Sequence, residues 1–299
     1  KVYQAIIDQI PQDAIAHFQL GIIDQQDKKF KEAIEHFEEA LKHNPDFAQA
    51  LSQLVSVRVS RGEAPQARER VQQQIERSPK NPYFYNLLGS LWMQAKQTDQ
   101  AEKAFKHALD LNDQLQVSYI NLAELYRRTN RVDDAVMEYE RLLDKNPKAA
   151  SAHMMLGMIA EQRNEVEKAQ RYYRKTLEIN PNFAPASNNL AWLIAENGGN
   201  LDEALAHAEN ALAQQGDNGH IADTLGWIYY KKNAHLKAVS LLEEATQKLP
   251  ESPVVRYHLG MAFFKKGDSV NAKKTLGLAL KMSPNFPGAE EAKSTLDSL

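Results

Sequence analysis

Residues 221–250 read IADTLGWIYYKKNAHLKAVSLLEEATQKLP. A Leu-Gly pair, Leu225-Gly226, is followed twelve residues later by Ala238 and then by Pro250. The same marks recur along the chain. Leu-Gly or Leu-Ala pairs stand at Leu20-Gly21, Leu88-Gly89, Leu122-Ala123, Leu156-Gly157, Leu190-Ala191 and Leu259-Gly260, with Leu54-Val55 filling the one gap. The aligned Ala is Ala33, Ala67, Ala101, Ala135, Ala169, Ala204, Ala238 or Ala272. Pro45, Pro79, Pro147, Pro181, Pro250 and Pro284 close the repeats, and Asp113 and Gly216 replace Pro twice. The step is 34 residues, with a single step of 35. A fixed period of this length marks a stacked repeat architecture, in which each repeat buries its apolar face on its neighbours.

Counted from Ala14, there are eight repeats: 14–47, 48–81, 82–115, 116–149, 150–183, 184–218, 219–252 and 253–286. Apolar residues recur at three- and four-residue spacing in both parts of each, so each repeat reads as two helices. Gly62, Asn130, Asn164, Gly198, Asn233 and Gly267 fall between the two helices, where Gly and Asn suit a left-handed helix end. Pro82, Pro185 and Pro253 sit in the first turn of a helix, where a missing N–H costs nothing. The aligned Gly and Ala are small because helices cross closely there. The predicted fold class is therefore all-α, a helix-turn-helix solenoid.

The 34-residue period, with Leu-Gly, Ala, an aromatic such as Phe37, Phe105, Tyr139 or Tyr173, then Ala and Pro, resembles the tetratricopeptide repeat. The resemblance covers about nine tenths of the chain. It implies a right-handed superhelix whose first helices line a concave groove, and it implies a peptide or protein partner held there. NNLAWLIAE, ADTLGWIYYKK and YHLGMAFFKKGD are similar to the closing repeats of long bacterial arrays. Residues 287–299, with Leu296 and Leu299 as apolar contacts, read as a solvating C-terminal capping helix. Residues 1–13 fit the second helix of a truncated preceding repeat, so the chain is expected to be the C-terminal part of a longer array. The RNA-reading pentatricopeptide family has 35-residue units. The 34-residue step and the acidic balance argue against it.

The chain has 299 residues, a formal net charge of -3 and no Cys. Its acidity argues against general nucleic-acid binding. The missing Cys excludes disulfides, thiolate chemistry and Cys-zinc sites, but it chooses neither cytoplasm nor bacterial envelope. No run of 18 apolar residues is present, so no membrane insertion is expected. No phosphate loop or nucleophile elbow is visible, and no catalytic residue or cofactor is expected. Among nine His, His17 and His153 share one repeat place and His36 and His207 another, which points to packing. His220, Asp223 and His258 lie on neighbouring first helices, but no HxxxH or HExxH spacing supports a metal. The Lys and Arg partners of a carboxylate clamp are absent beside Asn121 and Asn189. Asn86, Asn121, Asn188 and Asn189 stand where related arrays bond a peptide backbone.

A helical wheel places the second, fifth, ninth and twelfth residues of each first helix opposite the core. On that face the sequence puts Met154, Met158, Asn188, Trp192, Asp223, Trp227, Tyr230, Tyr257, Met261 and Phe264, with Asn189 beside them. Trp192 and Trp227 both occupy the ninth place and are expected to point into the groove, away from the core. Aromatic and Met surfaces of this kind mark binding sites. Arg128, Lys231 and Lys265 form a basic row at the groove edge, which suits a partner with acidic residues flanking an apolar stretch. The functional expectation is a non-catalytic scaffold binding a protein segment, with small-molecule ligands disfavoured. The rival reading is a substrate-recruiting arm of a larger enzyme such as a glycosyltransferase.

Overall fold

The computed structural model describes residues 2–299. Helix α1 (Val2–Gln9) is followed by alternating first and second helices. The first helices are α2 (Ala14–Gln26), α4 (Ala48–Ser60), α6 (Pro82–Gln94), α8 (Gln116–Arg128), α10 (Ala150–Gln162), α12 (Ala184–Glu196), α14 (Gly219–Lys231) and α16 (Pro253–Lys266). The second helices are α3 (Phe30–His43), α5 (Ala64–Arg77), α7 (Thr98–Leu111), α9 (Val132–Lys145), α11 (Val166–Ile179), α13 (Leu201–Gln214), α15 (His235–Lys248) and α17 (Ser269–Met282). A last helix, α18, spans Ala289–Asp297. No strand occurs among the described residues, and none of their helices is long and apolar enough to cross a membrane. The fold is an all-α helical repeat solenoid, divided into two compact halves at Pro147 and Lys148.

The turns between paired helices show why the second helix returns on the first. Asn130, Asn164, Asn233, Gly62, Gly198 and Gly267 all take positive φ, as their residue types suggest. Lys28 and Lys96 take it too, at φ 61 and 58, with no residue-type signal. Helix starts are fixed by side-chain caps at several repeats: Asp13, Asn81, Asn200, Asn218, Ser252 and Asp268 each accept a backbone N–H of the first turn.

Inside each pair, the small residue of the first helix receives a large one from the second. A Cβ added to Gly21 would lie 2.5 Å from Phe37, and one on Gly157 would lie 2.6 Å from Tyr173. Gly226 and Gly260 stand in the same relation to Leu242 and Leu276, at 2.7 and 2.6 Å. The second repeat solves the same volume problem differently. Val55 and Val71 occupy the two matched places and both are buried, so a medium pair replaces small-plus-large.

A further position recurs. The fourth residue of the first helix donates to a carbonyl six residues upstream: Tyr85 to Pro79 at 3.0 Å, Tyr119 to Asp113 at 3.3 Å and Arg256 to Pro250 at 2.9 Å. His17 makes the equivalent contact, Nε2 to the Pro11 carbonyl at 3.0 Å. Each such bond satisfies a carbonyl left bare by the turn that precedes the helix.

Candidate binding groove

In the C-terminal half, the first helices α10, α12, α14 and α16 carry the expected aromatic and Met residues, but their surfaces are mostly closed. Trp227 is only 6% exposed. Its ring lies between Tyr230, at a centroid distance of 4.4 Å, and His258, at 4.2 Å, both stacked. Its indole nitrogen donates to Glu196 Oε1 at 2.7 Å. Lys231 pairs with that same Glu196 oxygen at 2.9 Å. Tyr257 and Met261 are buried in the same apolar cluster, beside Leu276 and Ala292. The expectation that Trp227 points away from the core is therefore corrected.

The physical reason lies between repeats. A wheel drawn for one helix counts only its own paired helix, whereas successive first helices also lean on each other. Groove-side places then meet residues one repeat further on. Asp223 Oδ1 lies 2.8 Å from His258 Nδ1, Tyr257 donates to Glu291 at 2.5 Å, and the Thr295 hydroxyl reaches Met261 Sδ at 3.6 Å. These partners are 35, 34 and 34 residues apart. Burial, with the bond to Glu291, pushes the Tyr257 phenol well above the ordinary range, so it is a fixed neutral donor. Met154 and Asp223 are also buried. Their side chains offer little surface to a ligand.

The remaining predicted residues divide. Met158 is 43% exposed. Trp192 is half-buried, with its ring 5.7 Å from His258. Tyr230 and Phe264 are half-buried. Asn189 donates to Tyr173 Oη at 3.2 Å, and that phenol donates to Glu161 at 2.6 Å, which ties Asn189 to the second helix. Asn188 donates to Asn189 Oδ1 at 3.4 Å. Of the basic row, Arg128 lies in the N-terminal half and is bonded to Glu124 at 2.6 Å, and Lys265 is exposed.

The N-terminal half also has open surface on its first helices. A cavity of about 430 Å³ is lined by Ala48, Gln49, Ser52, Tyr83, Asn86, Leu87 and Val117, all on α4, α6 and α8. Tyr83 is 52% exposed and Val117 40%. Asn86 Oδ1 accepts from Ser118 and Asn121, both at 3.0 Å, which fixes its amide with the nitrogen free to donate elsewhere. Tyr83 and Val117 share the second place of their helices. The wheel assigned that place to the groove, but residue type drew attention to the Trp and Met of the other half instead.

Family models for the tetratricopeptide repeat match residues 25–91, 82–115, 120–184, 172–206, 193–253 and 254–286. The chain belongs to the tetratricopeptide repeat family. Tetratricopeptide repeat proteins are in general non-catalytic interaction scaffolds. No curated protein sequence matches the chain. Among solved structures, a chain of the APC/C hetero-tetramer Cut9-Hcn1 is similar at TM-score 0.64 and 17% identity. That match covers 90% of this chain and 52% of the other, so the chain spans about half that structure's length. A tetratricopeptide repeat protein from Parabacteroides merdae matches at TM-score 0.55 and 19% identity, over 84% of this chain and 97% of that one. YrrB, described as having an unusual peptide-binding site, matches at TM-score 0.54 and 21% identity, over 65% of this chain and all 100% of its own. At these identities the likeness is one of fold.

Proposed function

We propose that this tetratricopeptide repeat chain is a non-catalytic scaffold that holds an extended peptide or protein segment along the groove side of its first helices. The observation that carries this reading is the cavity at Tyr83, Asn86 and Val117. It combines an exposed aromatic ring, apolar floor and an amide donor already oriented by two hydrogen bonds. Such a site takes an apolar side chain and one backbone carbonyl of a bound strand. The peptide-binding site named for YrrB supports the same use of the fold. In the C-terminal half, Met158, Trp192 and the exposed Lys265 offer a second contact, while Trp227, Tyr257 and Met261 hold the helices that present it.

Selection of peptides from a displayed library, followed by titration, tests this. Tyr83→Ala and Asn86→Ala should each weaken the selected peptide by at least about tenfold, the size of a modest hot spot. The Tyr83→Ala melting temperature should stay at the parent value, and Asn86→Ala should lose about 1–3 kcal/mol of stability, because it removes the acceptor of the buried Ser118 hydroxyl. Trp227→Ala should behave oppositely, losing about 3–5 kcal/mol of stability as a buried Trp does. Peptides bound equally by the Tyr83 and Asn86 variants would place recognition elsewhere and end this reading.

A further inference from the structure

The first repeat gathers three imidazoles and a carboxylate at one corner. His17 on α2 faces His36, Glu39 and His43 on α3. One donor atom from each of His17, Glu39 and His43 lies within 4.8 Å of the other two. His17 Nδ1 is 3.3 Å from His36 Nδ1, and His43 Nε2 is 3.5 Å from Glu39 Oε2. We propose that His17, Glu39 and His43 form a binding site for a zinc ion.

The tautomer of His17 carries the argument. A carbonyl can only accept, so the contact with Pro11 puts the His17 proton on Nε2 and leaves a lone pair on Nδ1. The same carbonyl contact is made in other repeats by hydroxyl or guanidinium donors, so it belongs to the fold and does not depend on a metal. It also serves as the outer hydrogen bond that orients a metal-ligating imidazole. In the metal-free chain the His17 Nδ1 lone pair accepts from His36 Nδ1–H, while His36 Nε2 faces Asp24 Oδ2 at 3.6 Å; zinc displaces this one bond. Tetrahedral zinc with nitrogen ligands at about 2.0–2.1 Å sets neighbouring ligand atoms about 3.3 Å apart. One edge of that tetrahedron, Glu39 to His43 at 3.5 Å, is close to this spacing already. Imidazole and carboxylate together suit zinc better than magnesium or calcium.

Packing alone accounts for less. At the same corner, the third repeat sets Tyr85 against His107 and the fifth sets His153 against Tyr172. Among the described residues, only the first repeat combines three His with a carboxylate there. Lys42 holds Glu39 through both oxygens, at 3.0 and 2.9 Å, but its side chain is 64% exposed and free to swing away.

Titration calorimetry of the full chain with zinc chloride, after chelator treatment and dialysis, reads the outcome directly. One zinc per chain should bind, and the melting temperature should rise with zinc concentration. Glu39→Gln and His43→Gln should each weaken binding by at least about tenfold. His17→Tyr should abolish it while staying folded, because Tyr at this place keeps the carbonyl bond, as Tyr85 and Tyr119 do. His220→Gln, on the exposed start of α14, should bind as the parent does. No binding by the parent, or binding that survives both His17→Tyr and His43→Gln, overturns the site.

Discussion

A Cβ on Gly89 would lie 2.6 Å from Phe105 Cδ1, inside the distance that real contacts keep. Phe105 is fully buried, so its ring cannot swing out to make room. Gly89→Ala should cost about 1–3 kcal/mol through overpacking. Adding Phe105→Val should recover part of that loss, since the second repeat already lives with a Val pair at these places. A double-mutant cycle by chemical denaturation measures the coupling. Additive losses would mean the two side chains do not compete for one space. The same residue-scale complementarity explains why Val55 breaks the Leu-Gly pattern without breaking the repeat. The sequence shows Val55 as an irregularity, and only the partner residue across the helix pair shows it to be balanced.

At the scale of the element, the helix-turn-helix depends on one left-handed residue per turn. Lys96 holds that place at φ 58, although a side chain makes the conformation unfavourable by about 1–2 kcal/mol. Lys96→Gly should therefore stabilise the chain, by about 0.5–1 kcal/mol after the added flexibility of the unfolded Gly is counted. The check is a denaturation midpoint. A loss of stability would show that the Lys96 side chain contributes more than its backbone costs. Among first helices, α14 and α16 show what stacking does to an amphipathic pattern. Their groove faces are roofed by each other and by α18, through Asp223–His258, Tyr257–Glu291 and Met261–Thr295. A helix can thus be apolar nearly all round when it sits inside an array, which is why α14 buries Ile221 through Ile228 without interruption.

For the whole molecule, stability is expected to respond to mild acid. Burial lowers the pKa of His36 and of His207, with the ordinary value at 6.5. The folded chain then binds fewer protons than the unfolded chain just below that value. Stability contributed by keeping these rings neutral is fully present above 6.5 and is lost as pH falls through 6.5 toward the folded values. Glu124 and Glu203, held below 4.5 chiefly by bonds to Arg127 and Arg174, lose their contribution only at lower pH. Melting curves in metal-free buffer between about pH 7.5 and about pH 5.5 should fall, and His207→Gln should flatten the slope. A profile unchanged by that substitution would assign the acid response to other groups.

The sequence by itself determined the repeat, its period, the two-helix content of each unit and most of the turn residues. These follow from short-range rules, because helix periodicity, left-handed turns and small residues at a crossing are each written within one 34-residue stretch. It also set the expectation of which face of each first helix lies away from its paired helix. The tertiary structure decided which residues on that face stay open. Trp227 and Met261 vanish into contacts with residues one repeat away, while Tyr83, Asn86 and Val117 remain at the rim of a cavity. It likewise decided that His17, Glu39 and His43 come together, with His36 bonded to His17, although the places of His17 and His36 read as packing positions in the sequence. The physical reason is the same in both cases. Exposure and ligand geometry depend on what lies across the gap between helices, and the residue that fills it comes from a separate stretch of chain.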